Sequence, residues 1–301
     1  MKSEKVTKKS DALFYNKKVY EGEFGDNYDA NSIDSKDFYR QRIFKKKVNE
    51  IIKDISNKNL HLLDIACGTG LLSLDYYSDS KNSKIYNNDI SRNMLNRLKN
   101  KLSSKDPERS KFICSGALEF LKKTDVEFDL IGMASALHHY YDYLDILDIS
   151  LRKIRKGGYL YIALDPQLTN DYKNYLLKIF KTLDNAFLSY KTDKISPSKF
   201  VLYLLSSPFN FVSTIVNRNK GLVRLRRKIL NEPLENPAGE DYLLSEVRDE
   251  GLYLKKIIGI IKKNGFKITY LNGAPNYNFE FTYKLLNFLG LNNHFQLIAK
   301  K

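Results

Sequence analysis

The chain has 301 residues, 43% hydrophobic and 28% charged, which excludes a disordered polymer and leaves room for one α/β core with an insertion or for two domains. Two cysteines, Cys67 and Cys114, exclude a disulfide framework, and neither stands in the CxxC or Cys/His spacing of a zinc site. The formal charge of +15 suits a nucleic-acid or anionic-membrane partner and equally a Lys/Asn/Ile-biased composition, as in KKNGFK, so charge alone does not choose.

The N-terminus, MKSEKVTKKSDALF, is basic and lacks the apolar core of a signal peptide, so the expected location is cytoplasmic. Up to residue 58 the chain is polar and Tyr-rich, ending in a helix with Phe44, Val48, Ile51, Ile52 and Ile55 on one face. A regular alternation then starts. HLLDI and KIYNND read as strands, and SRNMLNRLKNKL as a helix with Ser91 as N-cap and Met94, Leu95, Leu98 and Leu102 as its stripe. KFICS follows as a strand, ALEFLKK as a short helix and FDLIGMA as a fourth strand. YLDILDISLRKI is expected to be a helix burying Leu144, Leu147, Leu151 and Ile154, broken by Gly157-Gly158 before YLYIAL, the fifth strand.

Residues 166–250 interrupt this rhythm with a helical, proline-punctuated block. It resumes with a helix LYLKKIIGIIKK, then the strands FKITYL and HFQLIAKK. Short strands alternating with helices imply βαβ units: an α/β fold, Rossmann-like and doubly wound, with a mostly parallel sheet of about seven strands and a helical insertion after the fifth. In such sheets ligands bind at the carboxyl ends of the strands, near the switch in strand order.

The first of those ends is LLDIACGTG, Leu62–Gly70. Glycines after a strand invite a phosphate, but Asp64 would repel one, and the dinucleotide spacing is met only in part by Gly68, Gly70 and Ser73. A nucleoside ligand carrying ammonium and sulfonium groups and no phosphate removes the conflict. Asp89 ends the second strand at the interval where a carboxylate meets ribose hydroxyls in dinucleotide folds, and its two oxygens can accept from both hydroxyls.

Taken in order, LLDIACGTG, NNDISRNML, FDLIGMASALHHYYD and LRKIRKGGYLYIAL resemble the class I S-adenosylmethionine-dependent methyltransferases, closely over about 40–165 and more loosely over 251–300. The resemblance implies S-adenosyl-L-methionine as cofactor and a transferase activity. It implies that Asp64, Ala66, Gly68 and Gly70 cradle the methionine side and that Asp89 binds ribose, with Ile90 against adenine. It implies further that Ala117 and Leu118 face the adenine edge and that Ala134 and Ser135 line the pocket where donor and acceptor meet. Two positions depart from the family pattern: Gly116 stands where an acid often accepts from the adenine amino group, and Lys156 where a proline usually precedes Gly-Gly. The expected organisation is 1–58 as a helical segment closing over the cofactor, 59–165 as the cofactor-binding core, 166–250 as a substrate lid and 251–301 as the completion of the core.

His138 and His139, just after the fourth strand, are the candidate bases; the alternative is that LHH packs beneath the sheet edge, and the resemblance favours His139. Tyr20 and Tyr28 could close over the cofactor, or be two ordinary aromatics in a chain with 21 tyrosines. Nucleic acid is disfavoured as the substrate, because MASALHHY carries no proline motif for a flipped base and neither cysteine suits a cytosine-C5 nucleophile. A small acceptor is expected instead. Within 199–228 an almost uncharged run, KFVLYLLSSPFNFVSTIV, precedes the basic NRNKGLVRLRRKIL. That pattern suits a lid over a hydrophobic acceptor or a peripheral contact with an anionic membrane, while Ser206, Ser207, Pro208 and Asn210 argue against a span. The rival from another class is a non-catalytic binding or assembly module on the same fold.

Overall fold

A computed structural model describes residues 16–31, 38–55, 59–79, 82–103, 107–167, 180, 252–273, 280–291 and 294–301. Seven strands form one sheet in the order β3-β2-β1-β4-β5-β7-β6. They are β1 (Leu60–Ile65), β2 (Ser83–Asp89), β3 (Ser110–Cys114), β4 (Phe128–Ala134), β5 (Ile154–Pro166), β6 (Lys267–Gly273) and β7 (His294–Lys300). The first five pair in parallel, and β7 runs antiparallel between β5 and β6. Besides short helical turns at Glu23–Asp26, Tyr28–Asn31, Pro107–Arg109 and Leu137–His139, the described helices are α1 (Phe38–Asp54), α2 (Ser73–Asp79), α3 (Arg92–Leu102), α4 (Ala117–Lys123), α5 (Tyr143–Arg152), α6 (Leu254–Lys263) and α7 (Glu280–Phe288).

Strand periodicity divides the apolar residues between two faces. Leu63, Ile65, Ile131, Met133, Leu160 and Ile162 pack against Leu121, Leu147, Ile257 and Ile261, from α4, α5 and α6. Their alternates Leu62, Ile85, Leu130 and Tyr161 pack against Phe44, Val48, Leu95 and Leu98, from α1 and α3. The expected stripes of α1 and α3 are thus the buried ones, and Ser91 caps α3 by accepting from the Met94 amide at 3.2 Å.

The α5 region differs from expectation. The helix ends at Arg152, so Ile154 belongs to β5, and the buried face is Tyr143, Ile146, Leu147, Ser150 and Leu151, with Leu144 half-buried. Gly157-Gly158 lies inside β5 instead of before it, where the β4–β5 register shifts. A Cβ on Gly158 would sit 2.8 Å from the Asp129 carbonyl, so this glycine permits a close approach of two strands.

The strand order reverses between β1 and β4, which are adjacent, leaving a crevice at their carboxyl ends. Beside it the chain leaves the sheet at Gln167 and returns at Leu252, and these two residues bridge one another. The expected lid, including the apolar and basic runs of 199–228, lies outside the described residues, as do 1–15. Among the described residues, no helix is long and apolar enough to cross a membrane.

Candidate functional site

Four left-handed backbone positions shape the crevice. Ala66, Gly68 and Gly70, after β1, all have positive φ, at 53°, 52° and 102°. Ser135, the residue after β4, has φ 52°. Left-handed backbone at Ala66 and Ser135 costs about 1 kcal/mol or more at each, and such strain gathers at ligand sites. The loop is tied down by Gly70 N–H on the Cys67 carbonyl at 2.8 Å and by Cys67 N–H on the Asn88 carbonyl at 3.0 Å.

Asp89 anchors the same loop from β2. Its carboxylate accepts from the Gly68 amide and from the Ser91 amide, both at 2.8 Å, at 8% exposure. Each carboxylate oxygen retains a lone-pair direction for a ligand hydroxyl. Burial pushes Asp89 up to about 6. Asp64, deeper still at 2% exposure, accepts from the Ser73 amide at 3.0 Å, and its Oδ2 lies 2.6 Å from Ser73 Oγ. Burial, with Asp89 adding repulsion, raises it to about 7. Two desolvated acids beneath one loop suit a cationic nucleoside and oppose a phosphate.

The crevice is a cavity lined by Ala66, Cys67, Gly68, Thr69 and Leu71 from the first loop and by Asp89, Ile90 and Met94 around the end of β2. Ala134, Ser135, His139 and Tyr140 line it after β4, and Asn16, Tyr20 and Tyr28 from the N-terminal segment. Of the residues expected around the cofactor or as bases, nine therefore meet here: Tyr20, Tyr28, Ala66, Gly68, Asp89, Ile90, Ala134, Ser135 and His139. Asp64, Gly70, Ala117, Leu118 and His138 are not in the lining. Asp64 and Gly70 stand behind the loop: a Cβ at Gly70 would meet Leu98 Cδ1 at 2.3 Å, whereas one at Gly68 would meet nothing within 4 Å. Ala117 is buried at the start of α4, and Leu118 packs at the core's margin.

The N-terminal segment is fastened across the cavity. Tyr20 Oη lies 3.3 Å from His139 Nε2 with the rings edge to face, and Asn16 Nδ2 donates to the His139 carbonyl at 2.9 Å. Asp29 accepts from Thr69 Oγ1 at 2.6 Å and from Lys101 Nζ at 2.7 Å. Asn16 is a lining residue that sequence reasoning did not find, since nothing distinguishes one asparagine in a polar terminus. Burial pushes the Tyr140 phenol and the Cys67 thiol upward, so both line the cavity as neutral groups.

Known proteins agree with this architecture. Residues 8–188, more than half of the chain, match the ubiE/COQ5 methyltransferase family. The chain belongs to the ubiE/COQ5 methyltransferase family. Within it, the chain is 26% identical over 132 residues to a demethylmenaquinone methyltransferase of Leptospira interrogans; the match takes in 42% of this chain and about half, 51%, of that relative's length. Solved structures of like fold include the magnesium protoporphyrin IX methyltransferase of Synechocystis PCC 6803 with bound SAM (TM-score 0.54, 12% identity, 96% of this chain and 97% of that one). The plantazolicin methyltransferase with a triazolic desmethyl analogue and SAH is similar too (TM-score 0.52, 13% identity, 97% and 96%). At such identities these two speak for the fold alone.

As a family member, the chain has a donor set that fits S-adenosylmethionine. The space at Gly68 leaves its backbone open to the cavity, and two buried carboxyl groups lie beside and beneath the loop.

Proposed function

We propose that this protein transfers the methyl group of S-adenosylmethionine to a small hydrophobic or amphiphilic acceptor. The observation that carries the reading is the cavity at the β1/β4 switch, which joins a left-handed, acid-anchored loop to a second compartment edge at Ala134, Ser135 and His139. When bound, the cofactor supplies an electrophilic methyl on a sulfonium with a good leaving group. The residues of the chain then have only to bind, align and exclude water.

In this reading the Gly68 loop receives the methionine side, with Asp64 behind it. Asp89 accepts from the ribose hydroxyls and Ile90 lies on the adenine side, while Ala117 and Leu118, outside the cavity lining, stand behind it at the start of α4. Gly116 begins α4 and offers no side-chain acceptor for adenine's amino group. Tyr20 and Asn16 hold the N-terminal segment down over the bound donor. The acceptor enters from the side where the chain leaves at Gln167 and returns at Leu252, with residues 199–228 as its cover or as a contact with anionic lipid. The relative's name makes a reduced, short-chain demethylmenaquinone the first acceptor to try.

Titration with S-adenosylhomocysteine by calorimetry tests the cofactor half, and binding at micromolar levels is expected. Radiolabelled methyl transfer to the reduced quinone and to a panel of amphiphilic phenols and acids tests the rest. Absence of S-adenosylhomocysteine binding would reject the enzyme reading in favour of an assembly module. Flotation with liposomes of anionic and of neutral lipid tests the lipid contact, which fails if neither retains the protein.

A further inference from the structure

Of the two candidate bases, His139, which the resemblance favours, has its Nε2 engaged with the Tyr20 hydroxyl. The neighbouring His138 is held differently. Its Nδ1 lies 2.8 Å from Asp165 Oδ1, which also accepts from the His138 amide at 3.1 Å. Asp165 stands near the carboxyl end of β5, wholly buried, and its Oδ2 has no hydrogen-bond partner among the described residues. Among the described residues its ion-pair partner is His138.

This geometry fixes a tautomer. Asp165 Oδ1 already accepts from the His138 amide, and with the same oxygen accepting from the ring the shared proton sits on Nδ1 and the lone pair on Nε2. The Nε2 atom makes no hydrogen bond among the described residues, and the side chain keeps 22% exposure. The ring stacks on His139, with centroids 3.9 Å apart, so it adjoins the cavity on the side of β5, from whose end the chain leaves and returns at Gln167 and Leu252.

We propose that Asp165 is a positioning residue that holds His138 as the proton acceptor for methyl transfer, with Nε2 presented to the acceptor's X–H group. The proposal rests on the methyltransferase reading above and assigns the base within it. The step balances: an electron pair on the acceptor atom X (a ring π pair where X is a hydroquinone carbon) forms the new X–CH3 bond, the sulfur keeps the pair of the broken S–CH3 bond as a neutral thioether, and the proton that X carried passes to His138 Nε2. The resulting imidazolium is then paired with the Asp165 carboxylate.

The test needs the full chain, 15N-labelled at histidine and saturated with S-adenosylhomocysteine. Long-range 1H–15N spectra are expected to show neutral His138 as the Nδ1–H tautomer, and a predominantly Nε2–H tautomer overturns the proposal whether or not an acceptor has been found. With reduced short-chain demethylmenaquinone as probe, Asp165→Asn and His138→Gln are each expected to lower kcat about 100-fold. KM and the Kd for S-adenosylhomocysteine should stay within about twofold of wild type. Added imidazole should restore part of the kcat of His138→Ala and none of that lost in Gly68→Ala. If Asp165→Asn lowers only melting temperature or KM, Asp165 is a structural residue and the proposal fails. If the wild type does not methylate this probe, that acceptor fails while the tautomer still decides the role of His138.

Discussion

The hydroxyl of Ser91 accepts from the Met94 amide at 3.2 Å and donates to the Tyr20 carbonyl at 3.1 Å, so one atom caps α3 and clips the N-terminal segment across the cavity. Glu21 adds a carboxylate on the Arg92 amide at 2.7 Å, at the positive end of the same helix. Ser91→Ala should therefore cost about 1 kcal/mol as a lost cap and also weaken S-adenosylhomocysteine binding several-fold, because the segment bearing Tyr20 is released. Tyr20→Phe keeps the clip and the ring and removes the hydroxyl beside His139 Nε2, so binding should weaken with little change in melting temperature. Calorimetric Kd and thermal melts of the two variants check this, and equal melting losses in both would count against it.

Gly68 and Gly70 share a loop but make opposite demands. At Gly70, φ is 102° and an added Cβ would strike Leu98, a buried member of the α3 stripe, so Gly70→Ala should cost about 2–4 kcal/mol in stability. At Gly68 the Cβ meets nothing in the protein and occupies ligand space. Gly68→Ala should lose about 1 kcal/mol through its left-handed φ of 52°, but weaken cofactor binding at least tenfold. Denaturant melts beside S-adenosylhomocysteine titrations separate the two, and the expectation is wrong if the losses fall on the same measurement.

Gly132, in the middle of β4, tests the packing behind the loop. A Cβ there would lie 2.1 Å from Tyr76 Oη and 2.6 Å from Leu72 Cδ1. Tyr76 is fully buried, and its hydroxyl has no hydrogen-bond partner among the described residues. Tyr76→Phe should be neutral or stabilising by about 1 kcal/mol, since it removes an unanswered polar atom. Gly132→Ala should cost about 2–3 kcal/mol, and less in the Tyr76→Phe background. A double-mutant cycle with no coupling would show that Leu72, not Tyr76, sets the limit.

The seven strands were legible because each is a short apolar run closed by a turn signal, and α3 because a serine precedes a clean stripe. The α5 face was misread for a physical reason: Leu144, Leu147, Leu151 and Ile154 have ideal helical spacing, but the helix stops at Arg152 before the last of them. Gly157-Gly158 signals a break and in fact relieves the approach of β5 to Asp129. The helices α2 and α7 were not anticipated; SLDYYSD and EFTYKLLNF carry no capping pattern strong enough to separate them from loop. At the site, strand-end residues were readable because topology brings all carboxyl ends together. Asn16 and Asp165 were not: one lies in a polar terminus, and Asp165-Pro166 reads as a turn signal. Only tertiary contact with His138 gives Asp165 a part to play.

Asp64, Ser73 and Asn87 carry a pH dependence that can be counted in protons. Asn87 Nδ2 donates to the Lys111 carbonyl and Ser110 Oγ, both at 3.3 Å, which turns Oδ1 toward Ser73 Oγ at 2.5 Å. That oxygen cannot donate, so Ser73 spends its one proton there, and the 2.6 Å contact with Asp64 Oδ2 is complete when Asp64 carries a proton. Burial raising Asp64 to about 7 agrees with this count. Its folded value lies above the unfolded one, so between roughly pH 4 and 7 the folded protein holds a proton that the unfolded chain has released, and stability falls as pH rises through that window. Asp89, raised to about 6, adds to the slope, and the two acids titrate as a pair. The ligand-free protein should lose on the order of 2–4 kcal/mol from pH 4.5 to 7.5 through this pair, and Asp64→Asn should flatten most of that loss. A cationic cofactor favours the ionised pair, so binding S-adenosylmethionine near pH 6.5 should expel a fraction of a proton. Calorimetry in two buffers of different ionisation enthalpy measures that fraction. Identical heats in both buffers for wild type and Asp64→Asn would mean that Asp64 is already ionised in the empty site.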